Sequence, residues 1–186
     1  MIITIDLDDV IFDTRPLYRL AFESLGQPFV KCSDWNLYKC YGETVANRLF
    51  EVFKDDCLYT MPLLDKRIPG VLNQLIHKPN LDILFVTQRI LKQPQKTFQQ
   101  LINAGIQCSF DQVYDQEGEK SDILIKLKTN LHFDDSPHVI SQCINKNIPI
   151  CMISNNYTQY NYYLRKSVPY STNLYSGLIQ YGIYTR

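Results

Sequence analysis

Two aspartates follow the first apolar run of the chain at a spacing that can support phosphoryl chemistry. The run Ile2 to Ile5 leads directly into Asp6-Leu7-Asp8. Residues two apart along an extended chain point the same way, so both carboxylates can reach one substrate. One can attack phosphorus to give an aspartyl phosphate, while the other protonates the leaving oxygen and then deprotonates the attacking water. A turn that merely ends a strand is the alternative interpretation of this motif alone.

A second acidic pair, Asp134-Asp135, follows another apolar run. Carboxylates that lie close together repel one another, and buried ones are costly unless a positive charge compensates them. Mg²⁺ prefers oxygen ligands and keeps some waters that a phosphate can replace. The two acidic motifs together therefore predict a magnesium site that also binds a phosphoryl group.

The elements that must position these groups are short apolar runs separated by helix-length segments. Such runs are typical of buried parallel strands, so we expect an α/β fold with a Rossmann-like parallel sheet flanked by helices. The predicted strands are 1–6, 81–87, 112–115, 130–135 and 147–154, and the predicted crossover helices are 90–104, 120–129 and 136–145. The tyrosine-rich stretch 156–170 is interpreted as surface packing or an extra strand.

Ligands of open parallel sheets bind beyond the carboxyl ends of the strands. Thr87-Gln88-Arg89 follows the second predicted strand, and Lys120 opens the helix before the fourth. Lys120 is preferred to Lys126 and Lys128 because it lies at the rim where the strands end. Thr87 alone is more typical of a helix cap than of a phosphate ligand. Arg89 is interpreted as an exposed arginine opening a helix, with binding of a phosphate or ribose as the alternative.

The segment between residues 6 and 81 is far longer than one connecting helix requires. Residues 43–53 place apolar side chains on one helical face, and residues 66–77 predict the helix that returns to the sheet. We therefore expect a helical cap over residues 14–75 and a core of residues 1–13 and 76–186. The cap aromatics Phe29, Trp35 and Tyr38 could stack on a nucleobase, although packing within the cap is the favoured interpretation.

Composition limits the partners. The 19 basic and 19 acidic residues cancel, which argues against a long nucleic-acid track or an anionic membrane surface. The six cysteines contain no C-x-x-C pair and are expected to be free thiols. Met1 leads straight into a strand instead of a charged and apolar leader. A cytoplasmic protein without membrane association is the expectation.

Four motifs resemble those of the haloacid-dehalogenase-like (HAD) phosphatase superfamily: "IDLDDV", "ILFVT", Lys120 and "LHFDD". The resemblance covers residues 1–13 and roughly 80–154, and the insertion lies where that superfamily carries its type-1 cap. It implies that Asp6 is the nucleophile and Asp8 the general acid/base. Phosphate binding would fall to Thr87, Gln88 and Lys120. The magnesium ligands would be the Asp6 carboxylate, the Asp8 backbone carbonyl, Asp134 and, directly or through water, Asp135.

Within the superfamily, "VTQR" (86–89), "DDSP" (134–137) and "DWNLY" (34–38) look most like 5'(3')-deoxyribonucleotidases. Asp9 departs from this pattern, because a residue such as glycine commonly follows the second aspartate. The resemblance implies a magnesium-dependent phosphatase acting through an aspartyl phosphate on (deoxy)nucleoside monophosphates.

Several alternatives stay open. The substrate could be another small phosphoester, such as a sugar phosphate or a nucleic-acid end, and phosphomutase chemistry uses the same residues. A dehalogenase needs no acid at Asp8, since a halide leaves without a proton. A receiver-type signalling domain leaves Asp134-Asp135 unexplained. The hypothesis without enzymatic activity is a phosphate-binding protein on the same fold, because a fold alone never proves activity.

Overall fold

The computed structural model describes residues 1–30, 36–115, 117–154 and 164–185. The strands form one parallel sheet and are, in chain order, β1 (Ile2–Ile5), β2 (Asp82–Thr87), β3 (Val113–Asp115), β4 (Leu131–Asp134), β5 (Ile150–Ile153) and β6 (Tyr170–Ser171). Their order across the sheet is β3-β2-β1-β4-β5-β6. The first five strands lie within the five predicted runs, so the expected α/β fold is confirmed. The strand order reverses between β1 and β4, where α/β sheets form their ligand crevice.

Helices pack against this sheet and fill the segment after β1. They are, in chain order, α1 (Arg15–Ser24), α2 (Leu37–Val52), α3 (Ile68–Ile76), α4 (Pro94–Asn103), α5 (Lys120–Lys126), α6 (Pro137–Asn145) and α7 (Leu174–Gln180). Helix α4 begins four residues later than predicted, because the proline ring at Pro94 disfavours helical backbone at Gln93. Helix α7 lies outside every predicted helix.

The sheet is buried on both faces because its strands are almost continuously apolar. Phe85 of β2 and Phe133 of β4 are fully buried, as are Ile3 and Ile5 of β1. Burial of large apolar side chains is the main contribution that stabilises such a layered fold. Because these residues are anchored in the core, they fix the position at which each strand ends. They thereby also fix the positions of the polar residues that follow the strands.

In its described residues, the insertion between β1 and α3 contains α1, α2 and a 3-10 helix at Asp56–Thr60. Helix α2 changes direction at Gly42, whose φ of 77° is readily adopted by glycine. Edge-on ring contacts join α1 to its surroundings, with Phe22 5.1 Å from Tyr41 and 5.7 Å from Phe29. Phe29 therefore packs within the insertion, Tyr38 lies 5.6 Å from the Phe50 ring, and Trp35 lies outside the described residues. The cap boundaries at 14 and 75 stay a prediction.

The described cysteines include four free thiols, which are Cys57, Cys108, Cys143 and Cys151. Cys40 is disulfide-bonded, so the expectation of free thiols throughout is wrong at that position. Across the described ranges, helices fall short of the length and apolar character needed to cross a membrane.

Candidate active site

A lysine joins two of the predicted aspartates beyond the ends of the central strands. Lys120 Nζ donates to Asp6 Oδ1 at 2.7 Å and to Asp134 Oδ2 at 2.8 Å. The Lys120 and Asp6 side chains are nearly buried, with exposed fractions of 3% and 8%, and that of Asp134 is fully buried. The structure thus brings together three side chains that are far apart in sequence, two of them 114 residues apart.

Strand register explains this convergence. β1 and β4 are parallel neighbours in which Thr4 faces His132 and Ile5 faces Phe133. The Asp6 N–H donates to the Phe133 carbonyl at 2.9 Å, which places Asp6 beside Asp134 at the end of the ladder. Helix α5 begins at Lys120, so its first residue lies at the same rim.

A buried polar chain supports Asp134 from behind. His132 Nε2 lies 2.9 Å from Asp134 Oδ2, and His132 Nδ1 lies 2.9 Å from Thr4 Oγ1. The Ser136 N–H donates to the other carboxylate oxygen, Oδ1, at 2.8 Å. Burial lowers the pKa of His132 below its ordinary value, although Asp134 acts in the opposite direction. Asp134 is therefore held in one orientation by groups on β1, β4 and the start of α6.

The two carboxylates that share Lys120 have very different pKa values. Burial raises the pKa of Asp6 to about 7, which Lys120 opposes and Asp134 and Asp8 reinforce. Burial acts in the same direction on Asp134, but Lys120 and His132 outweigh it and lower its pKa to about 2. Burial alone would lower the pKa of Lys120, yet Asp134 and Asp6 raise it above its ordinary value. The lysine is thus a cation, and of the two carboxylates that share it Asp6 is the one whose charge is more costly.

The carboxylates present fit a hard divalent cation. Ligand oxygens of Asp6, Asp134 and Asp135 all lie within 4.8 Å of one another. Burial raises the pKa of Asp135 well above its ordinary value, and the charges of Asp9 and Asp134 raise it further. An all-oxygen donor set with excess negative charge suits Mg²⁺. A bound ion would compensate charge that Lys120 alone does not.

We expect magnesium to stabilise the protein more at pH 8 than at pH 6. The pKa of Asp6 is raised from 3.8 to about 7, so folding favours the protonated carboxyl. The stability of the metal-free protein that depends on this group is therefore fully present below pH 3.8 and is lost as the pH rises through about 7. Magnesium requires the ionised carboxylate and restores this lost stability. Melting temperatures of wild type and Asp6→Asn, with and without MgCl₂, test this at both pH values. An equal magnesium-induced shift at the two pH values in wild type would contradict it.

Asp8 is bound by an arginine. Arg89 Nη2 donates to Asp8 Oδ1 at 2.7 Å, and Arg89 Nε donates to Asp8 Oδ2 at 3.2 Å. The Arg89 side chain is only 1% exposed, so the expectation of an exposed arginine opening a helix is wrong. Residues 90–93 precede α4 as a loop, because Pro94 delays the helix, and Arg89 can turn inward toward the strand ends.

A cavity of about 280 Å³ opens above these side chains. It is lined on the core side by Asp6, Asp8, Thr87, Gln88, Lys120 and Asp135, among others. The Gln88 side-chain amide donates to the Gly118 carbonyl, which fixes its orientation. On the opposite side α1 and α2 contribute Tyr18, Leu37 and Phe50. The insertion therefore covers the predicted site residues and adds an apolar wall.

Asp9, the departure from the family pattern, has a structural role. Its φ is 60°, a left-handed conformation that Asp tolerates better than most residues. Its carboxylate accepts from the Thr14 N–H at 3.1 Å and from the Thr14 hydroxyl at 2.6 Å. The side chain thereby ties the turn after Asp8 to the start of α1.

Sequence reasoning missed two supports of the site. His132 lies two residues before Asp134, and Thr4 lies two before Asp6. Since alternate strand residues share a face, these polar positions within apolar strands could have been identified from the sequence. The contact of Arg89 with Asp8 has no such signal, because it spans 81 residues and depends on where α4 begins.

Solved HAD-like hydrolases resemble this structure over nearly the whole chain. An HAD-like family hydrolase from Streptococcus pneumoniae has a TM-score of 0.64 at 15% identity, covering 97% of each chain. The HAD-hydrolase YfnB from Bacillus subtilis, solved bound to magnesium, has a TM-score of 0.57 at 12% identity, covering 96% of this chain and 97% of YfnB.

A third similar structure, CbbY from Rhodobacter sphaeroides in complex with phosphate, has a TM-score of 0.56 at 15% identity, covering 92% of this chain and 93% of CbbY. A variant of CbbY has been solved with xylulose-(1,5)bisphosphate. No protein-family model and no curated protein matches the sequence. The structural likeness establishes the fold, which is that of the HAD-like hydrolases.

Proposed function

We propose that this chain is a magnesium-dependent phosphomonoester hydrolase that uses Asp6 as its covalent nucleophile. One observation carries the proposal. The Asp6 carboxylate lines a cavity beside a buried lysine, at 2.7 Å, and within a cluster of oxygen ligands suited to Mg²⁺. A nucleophile, a fixed cation for the phosphoryl oxygens and a divalent-cation site are the parts that phosphoryl transfer requires.

The roles of the residues follow from this arrangement. An Asp6 oxygen attacks phosphorus, and the ester oxygen leaves with a proton from Asp8. Asp8, now ionised, takes a proton from water, which attacks phosphorus and releases inorganic phosphate and free Asp6. Lys120 orients Asp6 throughout, while Thr87 and Gln88 offer hydrogen bonds to the phosphoryl group. Bound magnesium would neutralise charge on the carboxylates and the phosphoryl oxygens.

The comparisons support this chemistry. The fold is shared with hydrolases of the HAD-like group, of which YfnB has been solved with magnesium and CbbY with phosphate. In this chain the acidic cluster and the cavity lie where the strand order reverses, as ligand sites in such sheets do.

We propose a (deoxy)nucleoside monophosphate as the substrate. The cavity wall opposite Asp6 includes the rings of Tyr18, Phe50 and Phe53, and aromatic faces stack well on bases. A sugar phosphate is the second candidate, favoured by the sugar bisphosphate bound to the CbbY variant. The two differ in whether the leaving group presents an aromatic face or hydroxyls to this apolar wall.

Phosphate release from a substrate panel tests the proposal. The panel contains deoxy- and ribonucleoside monophosphates and common sugar phosphates, each assayed with magnesium and with a chelator. Magnesium-dependent release is expected, with nucleotides ranked first. Release from sugar phosphates alone would overturn the nucleotide assignment. No release from folded protein that binds magnesium would overturn the hydrolase assignment and favour a binding role.

Asp8→Asn is expected to lower turnover of an alkyl phosphoester by about a hundredfold or more, because the amide cannot exchange the proton. Steady-state kinetics at saturating magnesium measure this. Asp65→Asn is the matched control, since Asp65 is also paired with an arginine, Arg67, but does not line the cavity. If Asp8→Asn only weakened magnesium binding, the acid/base assignment would be wrong.

A further inference from the structure

We propose that Arg89 is a positioning residue that fixes the Asp8 carboxylate at the cavity edge in the orientation needed for proton transfer. This inference rests on the proposed function and adds a residue that acts through Asp8 and not on phosphate. It assigns the hydrogen bonds between Arg89 and Asp8 a role in the reaction.

The contact between the two side chains is bidentate. Arg89 Nη2 lies 2.7 Å from Asp8 Oδ1, and Nε lies 3.2 Å from Oδ2. Paired bonds of this kind fix the plane of a carboxylate as well as its distance. Both side chains line the cavity, but that of Asp8 is 24% exposed while that of Arg89 is only 1% exposed, so Asp8 is the accessible partner and the guanidinium is almost completely covered.

Three elements hold the guanidinium in place. Arg89 Nη1 lies 3.4 Å from the Thr97 hydroxyl on α4, and that hydroxyl donates to Asp115 Oδ2 of β3 at 3.0 Å. The Arg89 Cζ lies 5.2 Å from the ring centre of Tyr59 in the 3-10 helix, within the range of a cation–π contact. Arg89 is therefore fixed independently of Asp8 and can act as a rigid support.

Asp8 needs such a support because it lies beyond the end of β1, where the sheet no longer constrains it. A general acid must be placed within hydrogen-bond reach of the leaving oxygen, and misplacement by about 1 Å can cost about a hundredfold in rate. Direct phosphate binding by Arg89 fits less well, since Nε and Nη2 already point at Asp8 and Nη1 at Thr97.

Leaving-group dependence distinguishes positioning of the acid from general support of the fold. An alkyl phosphoester needs its leaving oxygen protonated, whereas p-nitrophenolate leaves without a proton. The value of kcat/KM reports the steps up to release of the leaving group. Loss of a positioned acid therefore lowers kcat/KM for the alkyl ester selectively, while general damage lowers both values.

The experiment compares Arg89→Met and Arg89→Lys with wild type, using the best alkyl substrate of the panel and p-nitrophenyl phosphate. Arg67→Met is the matched control, because Arg67 also pairs with an aspartate, Asp65, and lies 3.8 Å above a tyrosine ring, Tyr175. Arg89→Met is expected to lower kcat/KM for the alkyl ester by about a hundredfold and leave the aryl value nearly unchanged. Arg89→Lys, which offers a single point charge, should recover part of the loss, and Arg67→Met should resemble wild type.

Equal losses on both esters, or no loss on either, would overturn the assignment of Arg89 while leaving the proposed function in place. Wild-type protein that hydrolyses neither ester would overturn the proposed function, and this inference with it. Far-UV circular dichroism checks that each variant is folded. Should Arg89→Met not fold, Arg89→Lys carries the same comparison, with the same selective loss expected at smaller size.

Discussion

Asp6→Asn is expected to abolish turnover and leave the fold intact. The amide is nearly isosteric with the carboxylate but cannot attack phosphorus, so no covalent intermediate forms. Removal of a covalent nucleophile in other enzymes costs on the order of 10⁴-fold or more in kcat. The measurement is phosphate release by the variant with the best substrate, beside a thermal unfolding curve.

The unfolding curve separates chemistry from stability. Asn at position 6 removes a buried charge whose pKa is raised to about 7, so the metal-free variant should be at least as stable as wild type at pH 8. If the inactive variant were also unfolded, unfolding alone would explain its loss of activity. Asp6→Glu would then serve as the second variant. Substantial activity in folded Asp6→Asn would remove Asp6 as the nucleophile.

Lys120→Met is expected to be the most destabilising single change at the site. It leaves the carboxylates of Asp6 and Asp134 buried without the ammonium that lies 2.7 and 2.8 Å from them. Removal of one partner from a buried ion pair typically costs about 3–5 kcal/mol in the free energy of unfolding. Denaturant unfolding of metal-free protein at pH 8 measures the loss.

Lys146→Met is the matched control for this change. Lys146 also contacts two carboxylates, Glu119 at 3.1 Å and Asp122 at 2.7 Å, but on the surface. Solvent screens such pairs, so its loss should be much smaller than that of Lys120→Met. Equal effects of the two substitutions would contradict a buried, electrostatically coupled role for Lys120.

The sheet and the convergence of the acidic motifs could be predicted because both follow from local patterns. Continuous apolar runs specify buried parallel strands, and parallel strands end at a common edge. Asp6 and Asp134 therefore had to lie close together once β1 and β4 became neighbours. Lys120 could be chosen over Lys126 and Lys128 because it opens the helix at that same edge.

The supports of the site were harder to predict because they depend on tertiary contacts. Arg89 was misjudged because the start of α4 was predicted before Pro94 instead of at it, and because its inward direction requires the packing of Tyr59 and Thr97, which has no local signature. Helix α7 packs beside Phe133 through Gly177, where an added Cβ would lie 2.9 Å from a ring carbon. Such close packing depends on the shape of the finished core.

The apolar wall of the cavity could be predicted only in part for the same reason. Helical spacing identified residues 43–53, yet Tyr18 and Leu37 join the cavity only because α1 and α2 fold over the strand ends. Phe29 and Tyr38, which were singled out from the sequence, do not line the cavity: Phe29 contacts Phe22 and Tyr38 contacts Phe50 within the insertion. The presence of aromatic residues predicts that their rings pack together, whereas only the folded structure shows which rings face the cavity.

Chemical trapping of the intermediate is the most direct test of whether Asp6 is the covalent nucleophile. Protein turning over p-nitrophenyl phosphate is quenched and treated with borohydride, which reduces an aspartyl phosphate to homoserine, and the N-terminal peptide is analysed by mass spectrometry. Asp8→Asn is included because slow hydrolysis of the intermediate should make it accumulate. We expect homoserine at position 6, and we expect its formation to depend on substrate and magnesium. Phosphate release with no modification at position 6 in either protein, or modification of a different aspartate, would contradict it.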